Sequence, residues 1–343
     1  MAAQTLDSIS KAETTDTARA TSAPHQGSEG LSSGSVKQHQ LKIFVAGASG
    51  TLGLPLIRTL CALGYEVTGM VRASASVDRL CEVGATPAYA DAFDAEQVTA
   101  AVCDAAPDIV IDQLSCLPSD PADLMKSMPN DTDLHRKGGA NLLSAARQAG
   151  VRRYMVQSRA FYLEAGHGML ADETAKLRTS APGEIGKSCQ VMQAYEDAIL
   201  STAGMEGVIL RYGFFYGEGT WYHPEGAAAI HMRNKATAII GDGAGVWSFV
   251  HLEDAISATV AALDAAPGIY NVVDDYPLPV AIWRQAFARW VSATAPVRLS
   301  VDEGLRLQGE AGVFYDTQLT GASNTLAKAR LGFAPRRLLW LDA

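Results

Sequence analysis

The chain has 343 residues and a formal net charge of −9, with 28 basic and 37 acidic side chains. Because the basic residues form no stripe, this balance argues against nucleic acid or an anionic membrane surface as the main partner. The five cysteines stand singly, without a CxxC pair or a neighbouring histidine at ligand spacing, so neither a metal site nor a disulfide framework is indicated. No apolar segment is long and uncharged enough to cross a bilayer, and we expect a cytoplasmic protein with reduced thiols.

The first forty residues differ from the rest of the chain in composition. They are rich in Ala, Ser, Thr and Gly and show no hydrophobic periodicity, which predicts a disordered tail over residues 1–40. They also lack the apolar core of a secretory signal. An organelle transit peptide stays an alternative, although such peptides usually avoid acidic residues such as Asp7 and Glu13.

A glycine-rich turn between an apolar strand and an amphipathic helix begins the globular part. Residues 43–46 have the pattern of a buried parallel strand, and residues 51–64 that of the following helix. Between them Gly47, Gly50 and Gly53 have a GxxGxxG spacing. The first permits a tight turn, the second lets backbone approach a pyrophosphate, and the third lets helix pack on strand. The helix N-terminus also attracts phosphates, so we predict a dinucleotide site here.

The second strand, residues 65–71, bears on the choice of dinucleotide. Such a strand usually ends with an acidic side chain that binds the ribose hydroxyls of the adenosine. Here Val71 occupies that position and Arg72 follows it. An arginine without the carboxylate suits a 2′-phosphate, so NADP(H) is favoured over NAD(H). A solvated surface arginine is the alternative.

Two further strand ends add polar residues to the same edge of the sheet. After the third strand, residues 86–90, Asp91 can accept from the adenine amine, while Asp94 can cap the next helix. The fourth strand, residues 108–114, ends near the expected nicotinamide position. A loop with Pro118, Pro121 and Pro129 follows, and then a helix over residues 131–149. The predicted cofactor-binding residues are Gly47, Ser49, Gly50, Thr51, Leu52, Gly53, Arg72, Asp91, Ala92, Gln113, Leu114 and Ser115.

Several segments together resemble the extended short-chain dehydrogenase/reductase family, with epimerase/dehydratase members as the nearest match. They are the glycine turn, DAFD (91–94), ANLLSAARQAGVRRY (140–154), LRYGFFYGEGT (210–220), FVHLEDA (249–255) and GIYNVVDD (268–275). The resemblance covers residues 41 to about 335. It implies an α/β fold with a doubly wound parallel Rossmann sheet over residues 41–212, completed by about 236–264. A smaller C-terminal substrate domain would comprise residues 213–235 and 265–343.

The resemblance breaks at the residues that handle protons. Ser158 and Tyr162 keep the spacing of the family's motif after the fifth strand, which makes Ser158 the best-supported reactive residue. The family then uses a YxxxK pair, and no YxxxK occurs in this chain. If the helix is aligned through Glu196, Ser188 stands at the tyrosine position and Met192 at the lysine position. Lys187 could replace the missing proton-handling groups if the chain enters the helix in a shifted position. A surface lysine is the simpler interpretation.

The sixth strand and the loop after it are expected to border the substrate. The family implies a pocket there, lined by Arg211, Tyr216, Trp221, Tyr222 and His223. Clustered aromatic side chains suit an apolar or ring-containing substrate better than a bare nucleotide sugar. Residues 240–254 resemble the segment in which the family's chain returns to the dinucleotide-binding domain, and Trp247 and His251 there are expected to be structural.

These observations predict an NADP(H)-binding enzyme with an altered proton relay. It would act on a small, cyclic or aromatic molecule by hydride transfer or epimerisation, with Ser158 hydrogen-bonding a substrate oxygen. The candidates for a replacement acid are Tyr162, Tyr216 and His223. Two alternatives stay open: a non-redox cyclase, dehydratase or isomerase, and a non-catalytic module that senses NADP(H). Family members often pair through the helices near Asp131 and Tyr195, which makes a homodimer an expected assembly.

Overall fold

A parallel β-sheet with seven strands forms the centre of the protein in our computed structural model, which describes residues 40–73, 76–166 and 168–341. From one edge to the other the strand order is β11-β6-β5-β4-β1-β2-β3. The strands are β1 (Lys42–Ala46), β2 (Glu66–Val71), β3 (Thr86–Tyr89), β4 (Ile109–Asp112), β5 (Arg153–Arg159), β6 (Glu206–Tyr212) and β11 (Gly268–Val272). This topology confirms the predicted doubly wound α/β fold.

Helices cover both faces of the sheet, as the fully apolar strand centres require. On one face, α1 packs near α8 and α11; on the other, α3 packs on α5, and α4 packs on α6. The helices of this layer arrangement are α1 (Gly53–Ala62), α2 (Val77–Glu82), α3 (Ala95–Ala105), α4 (Leu124–Asp133), α5 (Ala140–Gln148), α6 (Gly183–Leu200), α8 (Leu252–Ala261) and α11 (Thr325–Leu331). Asp94 caps α3 by accepting from the backbone N–H groups of Glu96 and Gln97, which confirms its predicted capping role.

The glycine turn shows why two of its positions exclude a side chain. Gly47 has φ of +76°, and a Cβ there would lie 2.2 Å from the Gln113 carbonyl oxygen. A Cβ at Gly53 would lie 2.1 Å from the Gly47 carbonyl oxygen. The first glycine therefore makes the turn and the third lets α1 approach β1, as predicted from their spacing. Gly50 is less constrained, since the nearest atom to its Cβ position is 3.2 Å away.

The remaining elements surround an aromatic cluster beyond the sheet. Trp340, near the C-terminus, is fully buried, and its ring centroid lies 5.0 Å from that of Phe249 and 5.1 Å from that of Phe287. This packing ties the last described residues into the core. The elements are β7 (Phe214–Tyr216), α7 (Ala227–Arg233), β8 (Ala238–Ile240), β9 (Val246–Trp247), β10 (Phe249–His251), β12 (Leu278–Pro279), α9 (Val280–Trp290), β13 (Val297–Leu299) and α10 (Val301–Thr317).

The segment after β4 differs from its prediction. The helix expected over residues 131–149 begins earlier, with α4, and Pro129 lies inside α4 and not in a loop. A π-helical segment, Leu134–Gly139, then joins α4 to α5. Periodicity could not reveal this, because a π segment shifts the register of the apolar face and a proline usually marks a break. The consequence is that Asp131 and His135 are buried beside the sheet edge.

The predicted tail lies outside the described residues, apart from Gln40. Residues 40–341, with the gaps given above, pack as one compact unit. The division into a dinucleotide-binding domain and a smaller substrate domain stays a prediction.

Gly53 should be far less tolerant of alanine than Gly50. The Gly53→Ala side chain would meet backbone, so we expect a loss of roughly 1–3 kcal/mol in the free energy of unfolding, or more. Gly50→Ala should remain within about 1 kcal/mol of the parent protein, since its Cβ needs only a small local shift. Urea unfolding of the three proteins measures the difference. Equal stability of the two variants would contradict the close approach of α1 to the turn.

Candidate active site

A cavity of about 1090 Å³ runs along the carboxyl ends of the sheet strands. It starts at the glycine turn, passes the ends of β2, β3, β4 and β5, and reaches the loop after β7. All twelve residues predicted to bind the cofactor line it: Gly47, Ser49, Gly50, Thr51, Leu52, Gly53, Arg72, Asp91, Ala92, Gln113, Leu114 and Ser115. Strand ends at a topological switch point are where this fold class binds ligands, so the sheet places these residues together.

At the adenosine end of the cavity, the end of β2 carries no acid. Val71 is buried and Arg72 is exposed beside the cavity. Asp91, which follows β3, accepts from the backbone N–H of Phe93 at 3.0 Å and also lines the cavity. Its predicted contact with adenine stays a prediction.

A buried polar cluster fixes the end of β4. Asp112 accepts from the Leu114 backbone N–H at 2.9 Å and from the Tyr195 hydroxyl at 2.7 Å. The Tyr154 hydroxyl lies 2.6 Å from that of Tyr195. Burial raises the pKa of the Asp112 carboxyl, partly offset by these hydrogen bonds. Tyr195 is therefore a buried structural residue, and the cluster orients the Leu114 backbone that borders the cavity.

Ser158 lies at the cavity wall but is committed to a buried ion pair. Its hydroxyl donates to Glu196 Oε1 at 2.5 Å. Glu196 in turn accepts from Arg211 at 3.0 and 2.6 Å, and both side chains are almost completely buried. Arg211 was expected in the pocket lining, and this expectation was wrong, because the side chain satisfies Glu196 inside the core. The contact of Ser158 with a substrate oxygen stays a prediction.

The two residues predicted to stand at the positions of the YxxxK pair both line the cavity. Ser188 and Met192 lie on α6, are buried, and line the cavity together. This placement agrees with the alignment through Glu196. Lys187 is exposed and pairs with Glu184 at 2.7 Å, so it is a surface lysine and does not enter the site.

Arg159, the last residue of β5, lines the cavity but is absent from the residues predicted above. Its Nη1 donates to Ser188 Oγ at 2.6 Å, and its Nη2 donates to Asp131 Oδ2 at 2.5 Å. Asp131 also accepts from the Cys116 backbone N–H and lies 3.6 Å from His135 Nε2. Burial disfavours the Asp131 carboxylate, but the Arg159 charge and these partners outweigh it and hold its pKa well below the usual range.

A sequence signal for Arg159 existed. A charged residue directly after a buried strand, at the ligand-binding edge, is unusual unless it has a partner or a ligand. Asp131 and His135, the helix residues near Arg159, carry no such local signal, because they meet the strand end only in the folded protein.

The candidate acids differ in their positions. Tyr162 lines the cavity, and its hydroxyl is hydrogen-bonded to that of Tyr315. Burial is the main cause that raises the pKa of Tyr162 well above its usual value, and the neighbouring Tyr315 raises it further. His223 lines the cavity, and its Nδ1 accepts from the Glu225 N–H at 3.3 Å. Tyr216 does not line the cavity, because it packs between His251 and Trp340. The structure therefore does not bring Tyr216 to the other candidates.

Four aromatic side chains form part of the cavity lining, which we call the aromatic wall. Trp221 and Tyr222 line the cavity as predicted, together with Phe161 and Phe214, whose rings stack at 4.2 Å. Trp221 Nε1 also donates to the Pro118 carbonyl at 3.1 Å, which connects the loop after β7 to the loop after β4.

Two expected structural residues are confirmed outside the cavity. Trp247 is buried behind the wall and stacks on Phe214 at 4.0 Å. His251 Nδ1 accepts from the Glu253 N–H and caps α8. Within the described part of the chain, no helix is long and apolar enough to span a membrane.

Comparison with known proteins supports the resemblance. The model of the NAD dependent epimerase/dehydratase family matches residues 43–272. A Streptomyces protein named 3-diazoavenalumate denitrifying reductase is 35% identical over 304 residues, covering 88% of this chain and 98% of its own. A Stigmatella aurantiaca protein, 4-hydroxy-2-methyl-3-oxo-4-farnesyl-3,4-dihydroquinoline-1-oxide ketoreductase, is 26% identical over 246 residues, covering 69% of this chain and 70% of its own.

Solved structures share the fold. The UDP-glucose 4-epimerase of Thermus thermophilus, solved as a complex with NAD, matches with a TM-score of 0.68 and 23% identity. The match covers 88% of this chain and 96% of that one. The UDP-glucose 4-epimerase of Thermotoga maritima, solved with UDP-glucose, also has a TM-score of 0.68, at 20% identity, covering 88% of this chain and 95% of that one.

Breaking the Glu196–Arg211 pair should destabilise the protein strongly. Glu196→Gln leaves a buried guanidinium without a counter-charge, and we expect a loss of ~3–5 kcal/mol in the free energy of unfolding. The double variant Glu196→Gln/Arg211→Met should recover part of that loss. The exposed pair on the same helix provides a control, since Glu184→Gln should change stability by less than about 1 kcal/mol. A Glu196→Gln protein as stable as the Glu184→Gln control would contradict the role of the buried pair.

Proposed function

The chain belongs to the NAD dependent epimerase/dehydratase family and is an enzyme of oxidoreductase or epimerase type; on this premise we propose that it is an NADP(H)-dependent reductase that transfers a hydride to a small aromatic substrate. One observation carries the proposal. The glycine turn, Arg72, the end of β4 and the aromatic wall all border one continuous cavity. A dinucleotide on the sheet edge and a ring-containing substrate against the wall would therefore meet inside it.

The residues present fit a nicotinamide dinucleotide. The glycine turn borders the cavity, and α1 begins at Gly53, the last glycine of that turn, so its N-terminal N–H groups adjoin the space for a pyrophosphate. Arg72 would hold a 2′-phosphate, and Asp91 the adenine amine. When bound, the reduced cofactor supplies a hydride. The chain itself would orient the ring through Leu114 and exclude water with Phe161, Phe214 and Trp221.

The loss of the proton relay favours a particular electrophile. Reduction of a ketone requires a proton as well as a hydride, and the family's tyrosine would supply it. Reduction of an arenediazonium ion requires the hydride alone: the new C–H bond forms, the C–N bond breaks, and N₂ leaves. With Ser188 and Met192 at the relay positions, this second reaction suits the site better. It is also the chemistry in the name of the Streptomyces relative, a denitrifying reductase of a diazo compound.

The proposal is tested with two substrates, a diazonium ion and a ketone, that carry the same carboxylate on the benzene ring. Purified protein and NADPH are mixed with 4-carboxybenzenediazonium or with 4-acetylbenzoate. We expect rapid loss of NADPH absorbance with the diazonium ion, and benzoate as product. Of the two NADPH epimers deuterated at C4 of the nicotinamide, only one should place deuterium on the ring carbon, which separates enzymatic hydride transfer from radical decomposition, a route without such selectivity. An enzyme-free mixture is the control. Unchanged absorbance with both substrates would refute the reductase. Loss of the diazonium ion above the enzyme-free rate without loss of NADPH, with water replacing N₂ to give 4-hydroxybenzoate, would favour a non-redox enzyme.

Arg72→Asp tests the choice of cofactor. The substitution removes a phosphate contact and adds a repulsion, so it should weaken NADPH more than NADH by at least about 1 kcal/mol. Arg79→Asp makes the same charge change at an exposed position outside the cavity and should leave the ratio of the two affinities unchanged. Titration of each dinucleotide by tryptophan fluorescence measures the ratio. Equal weakening of both cofactors by Arg72→Asp would exclude the NADP preference.

A further inference from the structure

Arg159 differs in its burial from the other cationic side chain that lines the cavity. Among the described residues, the arginines and lysines that line it are Arg72, at the exposed end of β2, and Arg159, at the end of β5. The Arg159 side chain is only 15% exposed. A guanidinium that keeps its charge in a largely desolvated position needs acceptors on most sides, because an unpaired buried charge is strongly unfavourable.

The acceptors that the protein supplies do not saturate Arg159. A guanidinium has five N–H donors. One N–H of Nη1 donates to Ser188 and one N–H of Nη2 donates to Asp131. The other three make no hydrogen bond to the described residues. Two fixed anchors therefore orient the group and leave donors beside the cavity.

Asp131 offsets part of the positive charge of Arg159, but it also has other partners. Its carboxylate is shared among the Arg159 guanidinium, the Cys116 N–H and the nearby His135 ring. It thus acts as a positioning residue that fixes Nη2. The acids that line the outer part of the cavity near the loop after β7, Glu218 and Glu225, are exposed, so solvent screens their charge.

Ser188 adds a further donor. Its Oγ accepts from Arg159, and its own proton has no acceptor among the described residues. A hydroxyl that accepts from a cation becomes a stronger donor through the same oxygen. Arg159 and Ser188 therefore present N–H and O–H groups together, next to the side chains of Met192 and Phe161 in the cavity lining.

We propose that Arg159 and Ser188 form a binding site for an oxyanion of the substrate, a carboxylate or a phenolate. The pair occupies the position of the missing relay but has a different chemistry. An arginine does not release its proton in proteins, so it holds a negative charge and does not neutralise it. The inference rests on the proposed function only in placing the substrate at this end of the cavity.

Equilibrium binding of unreactive ligands tests this site without any turnover. Cinnamate and the neutral cinnamamide form the carboxylate arm, and ionised 4-nitrophenol and 4-nitroanisole form the phenolate arm. Each is titrated into the full chain by calorimetry, with and without NADP⁺. We expect the anion of at least one arm to bind at least tenfold more tightly than its neutral partner, and the arm that responds identifies the oxyanion. The binding measurement requires no hydride transfer. Its result therefore does not depend on whether the reductase assay succeeds.

Variants assign the preference to the two residues. Arg159→Met should abolish the anion preference, Arg159→Lys should retain part of it, and Ser188→Ala should reduce it several-fold. Because Arg159→Met leaves Asp131 unpaired, Arg159→Met/Asp131→Asn provides a folded alternative, checked by thermal unfolding. Lys187→Met, which removes an exposed cation from the same helix, should bind like the parent protein. The proposal is overturned if the parent protein shows no anion preference in either arm, or if Arg159→Met/Asp131→Asn keeps it.

Discussion

The buried ion pair between Glu196 and Arg211 joins the elements on which the site depends. Arg211 lies on β6 and Glu196 on α6, and the bond between them fixes that helix against the sheet. Ser158 of β5 donates to the same glutamate, and Arg211 also donates to the Ala175 carbonyl at 2.8 Å. One carboxylate therefore sets the positions of β5, β6 and α6 together. Because a buried charge is stable only with its partners in place, the arrangement is rigid.

This rigidity determines what the end of β5 can present to the cavity. Directly after Ser158, the strand ends with Arg159, and the same helix that carries Glu196 carries Ser188 two turns earlier. The distance between Arg159 and Ser188 is thus a consequence of the ion pair on the same strand and helix. Ser188 and Met192, which line the cavity from α6, provide one hydroxyl and no cation. Arg159 at the end of β5 adds N–H donors beside that hydroxyl, and a guanidinium keeps its charge and does not transfer a proton.

The fold and the lining of the cavity near the glycine turn were predictable from the sequence, because each rests on local patterns. Apolar strand runs, the glycine spacing and the helix cap at Asp94 all act within a few residues of the chain. The substrate half was less predictable. Arg211 and Tyr216 were expected in the pocket from their places in the chain, but their side chains point to partners distant in sequence, Glu196 and Trp340. The π-helical segment that buries His135 beside Asp131 likewise has no local signature, since its register is set by packing.

The two cations of the cavity differ in how solvent affects them. Arg72 is exposed, so its attraction for a phosphate is weakened by the high dielectric constant and by salt within a Debye length of ~8–10 Å. Arg159 is largely buried and is held by Ser188 and Asp131, so the effective dielectric constant around it is lower and ions do not enter easily. The discrimination between cofactors that is proposed for Arg72 should therefore be largest at low ionic strength. An interaction at Arg159 keeps its strength at higher salt, and with it the orientation of whatever group binds there.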